Sequence, residues 1–208
     1  MVRSAAKSSS KLAGHMEPFQ RVRLMIGRGN FDHVAGVDIL QSWSYFRYDL
    51  DSFFLASAVA EAILLLNPPG TKITIEYKLA CEVLDQLNRV ELSTPKKEQT
   101  VYYALWRLLS LAGWKFDFSH CQLCGTVSTD WWYLSGKGFV CNKHPEPNLL
   151  DCTALVEFFR QAQSGQPQLA VADQSADTLR QVTQVFFQEI TGRQLRSLEG
   201  YYQLHNHV

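Results

Sequence analysis

Cys121-Gln-Leu-Cys124 sets two thiols two residues apart, and Cys141-Asn-Lys-His144 repeats the spacing with a thiol and an imidazole after sixteen intervening residues. In each knuckle one turn of backbone aims two donors at the same ion. Two knuckles at about this separation complete a tetrahedron of the kind that holds zinc. The expected cofactor is therefore one Zn2+. Four protein donors leave no open coordination position for water, so the ion is expected to be structural, contributing to folding and not to hydrolysis. His120 is the alternative fourth ligand if His144 points away. The plainer reading of a cysteine is a buried apolar side chain, and it suits the isolated Cys81 and Cys152.

Other chemistry is sparse. The chain has no G-x-S-x-G, no Gly-rich phosphate loop ending in Lys-Ser/Thr and no H-E-x-x-H, and His205 and His207 lie in a polar tail. No residue is assigned a catalytic role. The first 28 residues do show a charge asymmetry, with Arg3, Lys7, Lys11, Arg21, Arg23 and Arg28 against the single acid Glu17. A strand with Arg21 and Arg23 on one face, preceded by a basic arm, can neutralise phosphates and release their counterions, which makes Lys7, Lys11, Arg21, Arg23 and Arg28 candidate DNA contacts. A solvated strand face is the alternative.

The elements that must position these residues read as follows. Apolar and polar residues alternate from Phe19 through Leu24, turn residues occupy Gly27 to Asn30, and an apolar stretch resumes at Phe31, which together predict a β-hairpin. From Asp49 the period becomes helical, with Leu50, Phe53, Phe54, Ser57 and Ala58 at three- and four-residue steps and an end at Pro68-Pro69-Gly70. A second helix is expected over Ile75 to Val90, with Leu79, Val83, Leu87 and Val90 inward. A third is capped by Thr94, carries Pro95 in its first turn, turns Val101, Leu105, Leu108, Leu109 and Ala112 inward, and stops at Gly113. Residues 119–148 break both periods and form an insertion with its own organisation, in which Trp131, Trp132 and Tyr133 alternate as in a strand and are expected to pack under the metal loop, against the alternative of stacking on bases. Asp151 caps a further helix with Leu155, Val156, Phe158, Phe159 and Ala162 inward. A linker covers Gln161 to Gln168, and a last helix carries Leu179, Val182, Phe186 and Ile190.

The expected fold is mainly α: a β segment with a basic arm at 1–45, then a helical domain at 46–208 with the zinc-binding insertion at 119–148. At 208 residues and 46% hydrophobic content the chain can bury a core without disulfides. Twenty basic and twenty acidic side chains cancel, which excludes a whole-protein field acting on nucleic acid or membrane. No apolar run approaches membrane-spanning length and no secretory signal opens the chain, so a cytoplasmic location with no membrane partner is expected.

Several stretches together resemble the RecO family of bacterial recombination mediators. Ser10-Lys-Leu-Ala-Gly14 followed by Met16-Glu-Pro-Phe19 resembles the entry to the late strands of that family's N-terminal OB-fold. Leu109 to Trp114 and Asp117-Phe-Ser-His-Cys121 resemble the helix that leads into its zinc loop, and Gly192-Arg-Gln-Leu-Arg-Ser197 its C-terminal signature. The resemblance implies that the predicted hairpin is the later part of an OB-fold whose first strands are absent. It further implies a non-enzymatic role in DNA repair and recombination near the bacterial nucleoid: binding single- and double-stranded DNA, annealing strands, and helping with RecR to load RecA. A further implied partner is the acidic, apolar-tipped tail of the single-stranded DNA-binding protein. Trp106 and Leu109 beside Arg107, close to Lys115, are candidates for that tail's receptor, against the alternative of a plain core helix with a snorkelling arginine.

Overall fold

The computed structural model describes residues 17–29, 31–166 and 171–205. They divide into two compact units, with the break between Asp49 and Leu50.

In the first unit, β1 (Gln20–Gly27) pairs antiparallel with β2 (His33–Ser42). Two register shifts, between Arg21 and Val22 and between Met25 and Ile26, sharpen the twist of this ribbon. Trp43 N–H donates to Phe19 O at 3.1 Å, and the buried Phe46 meets Phe19 edge-on, 4.9 Å between ring centroids. These contacts and an Arg47–Glu17 ion pair close the open end of the ribbon. Both faces carry partly solvated apolar side chains: Leu24, Met25, Ile26, Ile39 and Leu40 are all exposed. Among the described residues no third strand covers them.

The second unit comprises α1 (Leu50–Leu66), α2 (Thr74–Leu87), α3 (Thr94–Leu111), a small sheet of β3 (Trp132–Leu134), β4 (Gly138–Val140) and β5 (Leu150–Asp151), then α4 (Val156–Ser164), α5 (Ala176–Thr191) and α6 (Arg196–His205). The central helix is α3, which packs against α1, α2, α4 and α5. It is therefore buried on most sides, at Val101, Tyr102, Ala104, Leu105, Trp106, Leu108 and Leu109. Gly165 and Gly192 follow α4 and α5 in the left-handed region, where glycine lacks the Cβ penalty, and their N–H groups return to Gln161 O and Gln188 O.

Several expectations change in detail. Ser93, not Thr94, occupies the N-cap position of α3. α2 ends at Leu87, and Val90 is exposed instead of inward. Asp151 belongs to β5; its Oδ1 accepts Thr153 N–H at 3.0 Å and opens a short 3-10 turn ahead of α4. α4 runs on to Ser164 with Gln161 buried, so the linker begins later than expected. α1 buries Leu55, Ala56, Ala58, Val59 and Ala62 and leaves Leu50 exposed, because a helix apolar on nearly every side has no face that periodicity can mark.

α6 is an element that sequence reasoning missed. Its local signal is weak, since Gly200 sits mid-helix at a propensity cost of about 1 kcal/mol relative to alanine. Tertiary contacts supply what propensity lacks. Both carboxylate oxygens of Glu61 on α1 accept the first free N–H groups of α6, from Arg196 at 3.0 Å and Ser197 at 2.9 Å. Gly200 also lets α6 approach α1 so closely that a Cβ there would lie 2.6 Å from the Phe54 ring. Gly200→Val is expected to force these helices apart and lower stability by about 1–3 kcal/mol. Thermal unfolding followed by circular dichroism measures it, and an unchanged Tm would contradict the close approach.

Candidate metal centre

The chain leaves α3 through Gly113 and carries Phe116 and Phe118 into the core before the first knuckle. Cys121 N–H donates to Thr126 O at 2.8 Å and Gly125 N–H to Cys121 O at 2.9 Å, so the backbone wraps around the Cys121 and Cys124 side chains. The second knuckle hangs from the sheet, whose strand order is β4-β3-β5. β4 delivers Cys141, and His144 N–H turns back toward Cys141 O at 3.4 Å.

The four expected ligands converge: the donor atoms of Cys121, Cys124, Cys141 and His144 all lie within 4.8 Å of one another. Cys124 Sγ and Cys141 Sγ are 3.6 Å apart, far beyond the roughly 2.05 Å of a disulfide and close to the edge, about 3.7 Å, of a tetrahedron with 2.3 Å metal–sulfur bonds. His144 Nε2 is shut off from solvent and has no hydrogen-bond partner. A metal ion at the centre would satisfy that nitrogen. His120 is exposed instead, its Nδ1 2.8 Å from Ser119 Oγ, and it does not join the cluster. Three thiols and an imidazole thus form a site able to hold a metal ion, and donors of this softness suit zinc among common divalent ions.

The surroundings prepare the donors. The Thr126 hydroxyl lies 2.9 Å from Cys124 Sγ, and with the Thr126 backbone and His144 it pulls the Cys124 thiol down to about 5. Burial opposes ionisation of Cys121, but N–H groups of Cys124, Cys141 and Leu123 outweigh it and hold that thiol below its ordinary value. Cys141 N–H reaches Cys121 Sγ at 3.3 Å. Burial raises Cys141, and the Cys124 sulfur raises His144. Cys152, outside the cluster, is fully buried and pushed up to about 12 by that burial, which fits a core thiol.

The sheet that carries Cys141 has two differently occupied faces. Leu134, Val140, Cys121 and Cys141 pack together, with Trp132 and Leu149 against them. On the other side Tyr133 and Phe139 enter an aromatic core, where Phe139 lies 4.8 Å from Phe116, 4.9 Å from Phe118 and 5.2 Å from Phe159. Trp131 is buried as well, edge-on to Phe118. Glu189 of α5 reaches over the β3–β4 turn and accepts hydrogen bonds from Tyr133 Oη, Ser135 Oγ and Gly136 N. Thr126 and Glu189 were not singled out in the sequence. A threonine two residues past a knuckle and a glutamate on a distant helix carry no local signal.

The partner-site expectation changes. Trp106 is buried, with Nε1 donating to Thr183 Oγ1 at 2.9 Å and its ring stacked on Phe186, and Leu109 is fully buried. Neither offers a surface to a tail peptide. The Arg107 guanidinium donates to Gln163 O, among the last carbonyls of α4, where a cation also complements the helix dipole. Lys115 is exposed beyond the end of α3. Arg21 and Arg23 are exposed on β1, two residues apart and hence on one strand face, with Arg23 opposite Asp38 in register. Arg28 is exposed just past β1, whereas Lys7 and Lys11 lie outside the described residues. Among the described residues no helix is long and apolar enough to cross a membrane.

The second unit is a helical domain whose insertion between α3 and α4 carries a cluster able to hold a metal ion. A family model described as the C terminal of recombination protein O matches residues 47–199. The chain belongs to the recombination protein O (RecO) family. It is 29% identical over 154 residues to a DNA repair protein RecO of Bifidobacterium animalis, an alignment covering 71% of this chain and 63% of that protein. It is 31% identical over 130 residues to one of Cutibacterium acnes, covering 61% of this chain and 53% of the relative. A third, from Dehalococcoides mccartyi, is 26% identical over 143 residues, covering 67% and 55%. The chain thus matches between about half and two thirds of the length of these curated relatives.

Metal binding here is expected to weaken in acid. The ligands bind as thiolates and neutral imidazole, so protons must leave Cys141 and His144, whose pKa values are both raised, while Cys124 already holds its charge at neutral pH. Affinity therefore rises with pH and falls as pH drops and protons compete for the donors. Titration with cobalt(II), read by its visible absorption, is expected to show at least about tenfold weaker binding at pH 6 than at pH 8. Equal affinities would contradict the ligand set.

Proposed function

We propose that this chain is a non-enzymatic DNA repair and homologous recombination mediator with a structural zinc ion at Cys121, Cys124, Cys141 and His144. The observation that carries this reading is the family match over residues 47–199, which spans the whole metal centre. The zinc assignment is supported by the donor set and by the unpartnered His144 Nε2 inside it. With four protein donors the ion has no position left for a hydrolytic water, so its work is to hold the insertion folded.

The DNA role follows from charge. Annealing needs no covalent step, only the lowering of repulsion between two phosphate chains, and arginines on an exposed strand can supply this. Arg21, Arg23 and Arg28 are the proposed contacts on and just past β1, with Lys7 and Lys11 earlier in the sequence. The proposed ligands are single- and double-stranded DNA. The proposed protein partners are RecR, the tail of the single-stranded DNA-binding protein and, indirectly, RecA, in a cytoplasmic, nucleoid-associated setting.

One observation favours a second reading, a zinc-stapled protein-interaction module without DNA binding. Asp38 stands opposite Arg23 across the hairpin, and Glu17 pairs with Arg47, so acids offset part of the basic surface. Single-stranded DNA binding measured against salt separates the two. If the mediator reading holds, the wild-type chain binds with a steep salt dependence. Arg21→Ala with Arg23→Ala should then weaken affinity uniformly across sequences and flatten the salt slope by about 1.4, the value for two lost phosphate contacts on single strands. Absent or salt-independent wild-type binding would favour the interaction module, and an unchanged slope in the double variant would move the footprint off β1.

A further inference from the structure

The sulfurs of the metal centre are unequally covered. Cys121 and Cys141 are 2% and 1% exposed and packed into the apolar cluster under the sheet, whereas Cys124 is exposed. Buried structural cysteines are inert, and an accessible sulfur with a second one in reach is the arrangement that oxidants attack. Cys124 Sγ lies 3.6 Å from Cys141 Sγ, so closing the pair to the length of a disulfide takes a movement of about 1.5 Å, within the range of side-chain rotation. The Thr126 hydroxyl touches both, 2.9 Å from Cys124 Sγ and 3.8 Å from Cys141 Sγ. Cys121 is tied differently. Its sulfur accepts Cys141 N–H at 3.3 Å, and its own N–H donates to Thr126 O at 2.8 Å.

We propose that Cys124 and Cys141 form a modification site for hydroperoxides, at which oxidation joins the two sulfurs and takes two donors away from the ion. The inference rests on the zinc reading above, in which both sulfurs are held as thiolates. In the first step an electron pair of the exposed Cys124 sulfur attacks one oxygen of hydrogen peroxide. The O–O bond breaks, the other oxygen leaves as hydroxide and takes up a proton as water, and Cys124 becomes a sulfenic acid. In the second step the Cys141 thiolate attacks the Cys124 sulfur. The S–S bond forms, the S–O bond breaks, and the second hydroxide leaves beside the Thr126 hydroxyl and is protonated to water. The two thiolates lose two electrons and the peroxide gains them. Cys141 needs no access to solvent, because Cys124 meets the oxidant and its sulfur is already in reach. Cys121 and His144 then remain, too few donors for a structural site, so the ion is released and the insertion loosens. A dithiol reverses the step by exchange with the disulfide.

The test uses the full wild-type chain. Its zinc is counted by native mass spectrometry, hydrogen peroxide is added, and a chromogenic chelator reads the ion released. The expected result is loss of the bound zinc together with a disulfide that tandem mass spectrometry of tryptic peptides maps to Cys124 and Cys141. Dithiothreitol should then restore both thiols and the capacity to bind zinc. Zinc retained at a peroxide dose that fully oxidises glutathione in the same solution would overturn the proposal. So would a disulfide between Cys121 and Cys124, or a sulfinic acid at Cys124 that the reductant leaves in place. A chain that carries no zinc before peroxide is added would overturn the zinc reading and this inference with it, and the count at the start tells that failure from the others.

Discussion

Three thiol sulfurs and an imidazole nitrogen drawn within 4.8 Å of one another repel once the thiols ionise, and a cation among them turns that repulsion into attraction. A cation bound there would hold the rest of the insertion through that reversal. Its sheet strands are two or three residues long, too short to persist alone in water. The Cys121 and Cys141 side chains belong both to the donor set and to the small apolar cluster beneath the sheet, so an ion bound there would draw that cluster together.

The opposite face of the sheet transmits this order to the helices. Phe139 on β4 and Tyr133 on β3 meet Phe116, Phe118, Phe159 and Phe186, and Trp106 of α3 touches Phe116, Phe139, Phe159 and Phe186. The residue whose sequence context suggested a binding surface is thus a hub of the core. Glu189 adds a polar clamp: three donors of the β3–β4 turn region converge on one carboxylate, and burial with that carboxylate nearby raises the Tyr133 pKa and keeps its proton in place. Arg107 and Arg160 secure the two ends of the neighbouring segment, one at the last carbonyls of α4 and the other at Phe118 O.

The legible parts of the chain were those whose signal is local. Knuckle spacing picked out all four side chains that the fold draws together, whereas the choice of His144 over His120 needed the fold, which brings the His144 ring into the cluster and leaves His120 exposed. Pro95 and Gly113 bracket α3 as read, and alternation from Phe19 located the hairpin. Signals carried by tertiary contact were invisible. The start of α6 is satisfied by Glu61, 135 residues away in sequence, and its glycine is explained by a phenylalanine on another helix. The inward face of α1 could not be read because its sequence is apolar on nearly every side, and Trp106 looks alike whether it lines a slot or fills a core.

The central claim is that a metal ion at these four residues orders the insertion while the helices hold by their own packing. Hydrogen exchange on the full chain, with metal content counted by native mass spectrometry before and after chelation, tests it most directly. The expected result is one zinc per chain, with chelation removing protection from the amides of 119–151 while those of α3 and α5 stay slow. A chain that carries no metal as purified, with 119–151 protected equally in both conditions, would contradict the account.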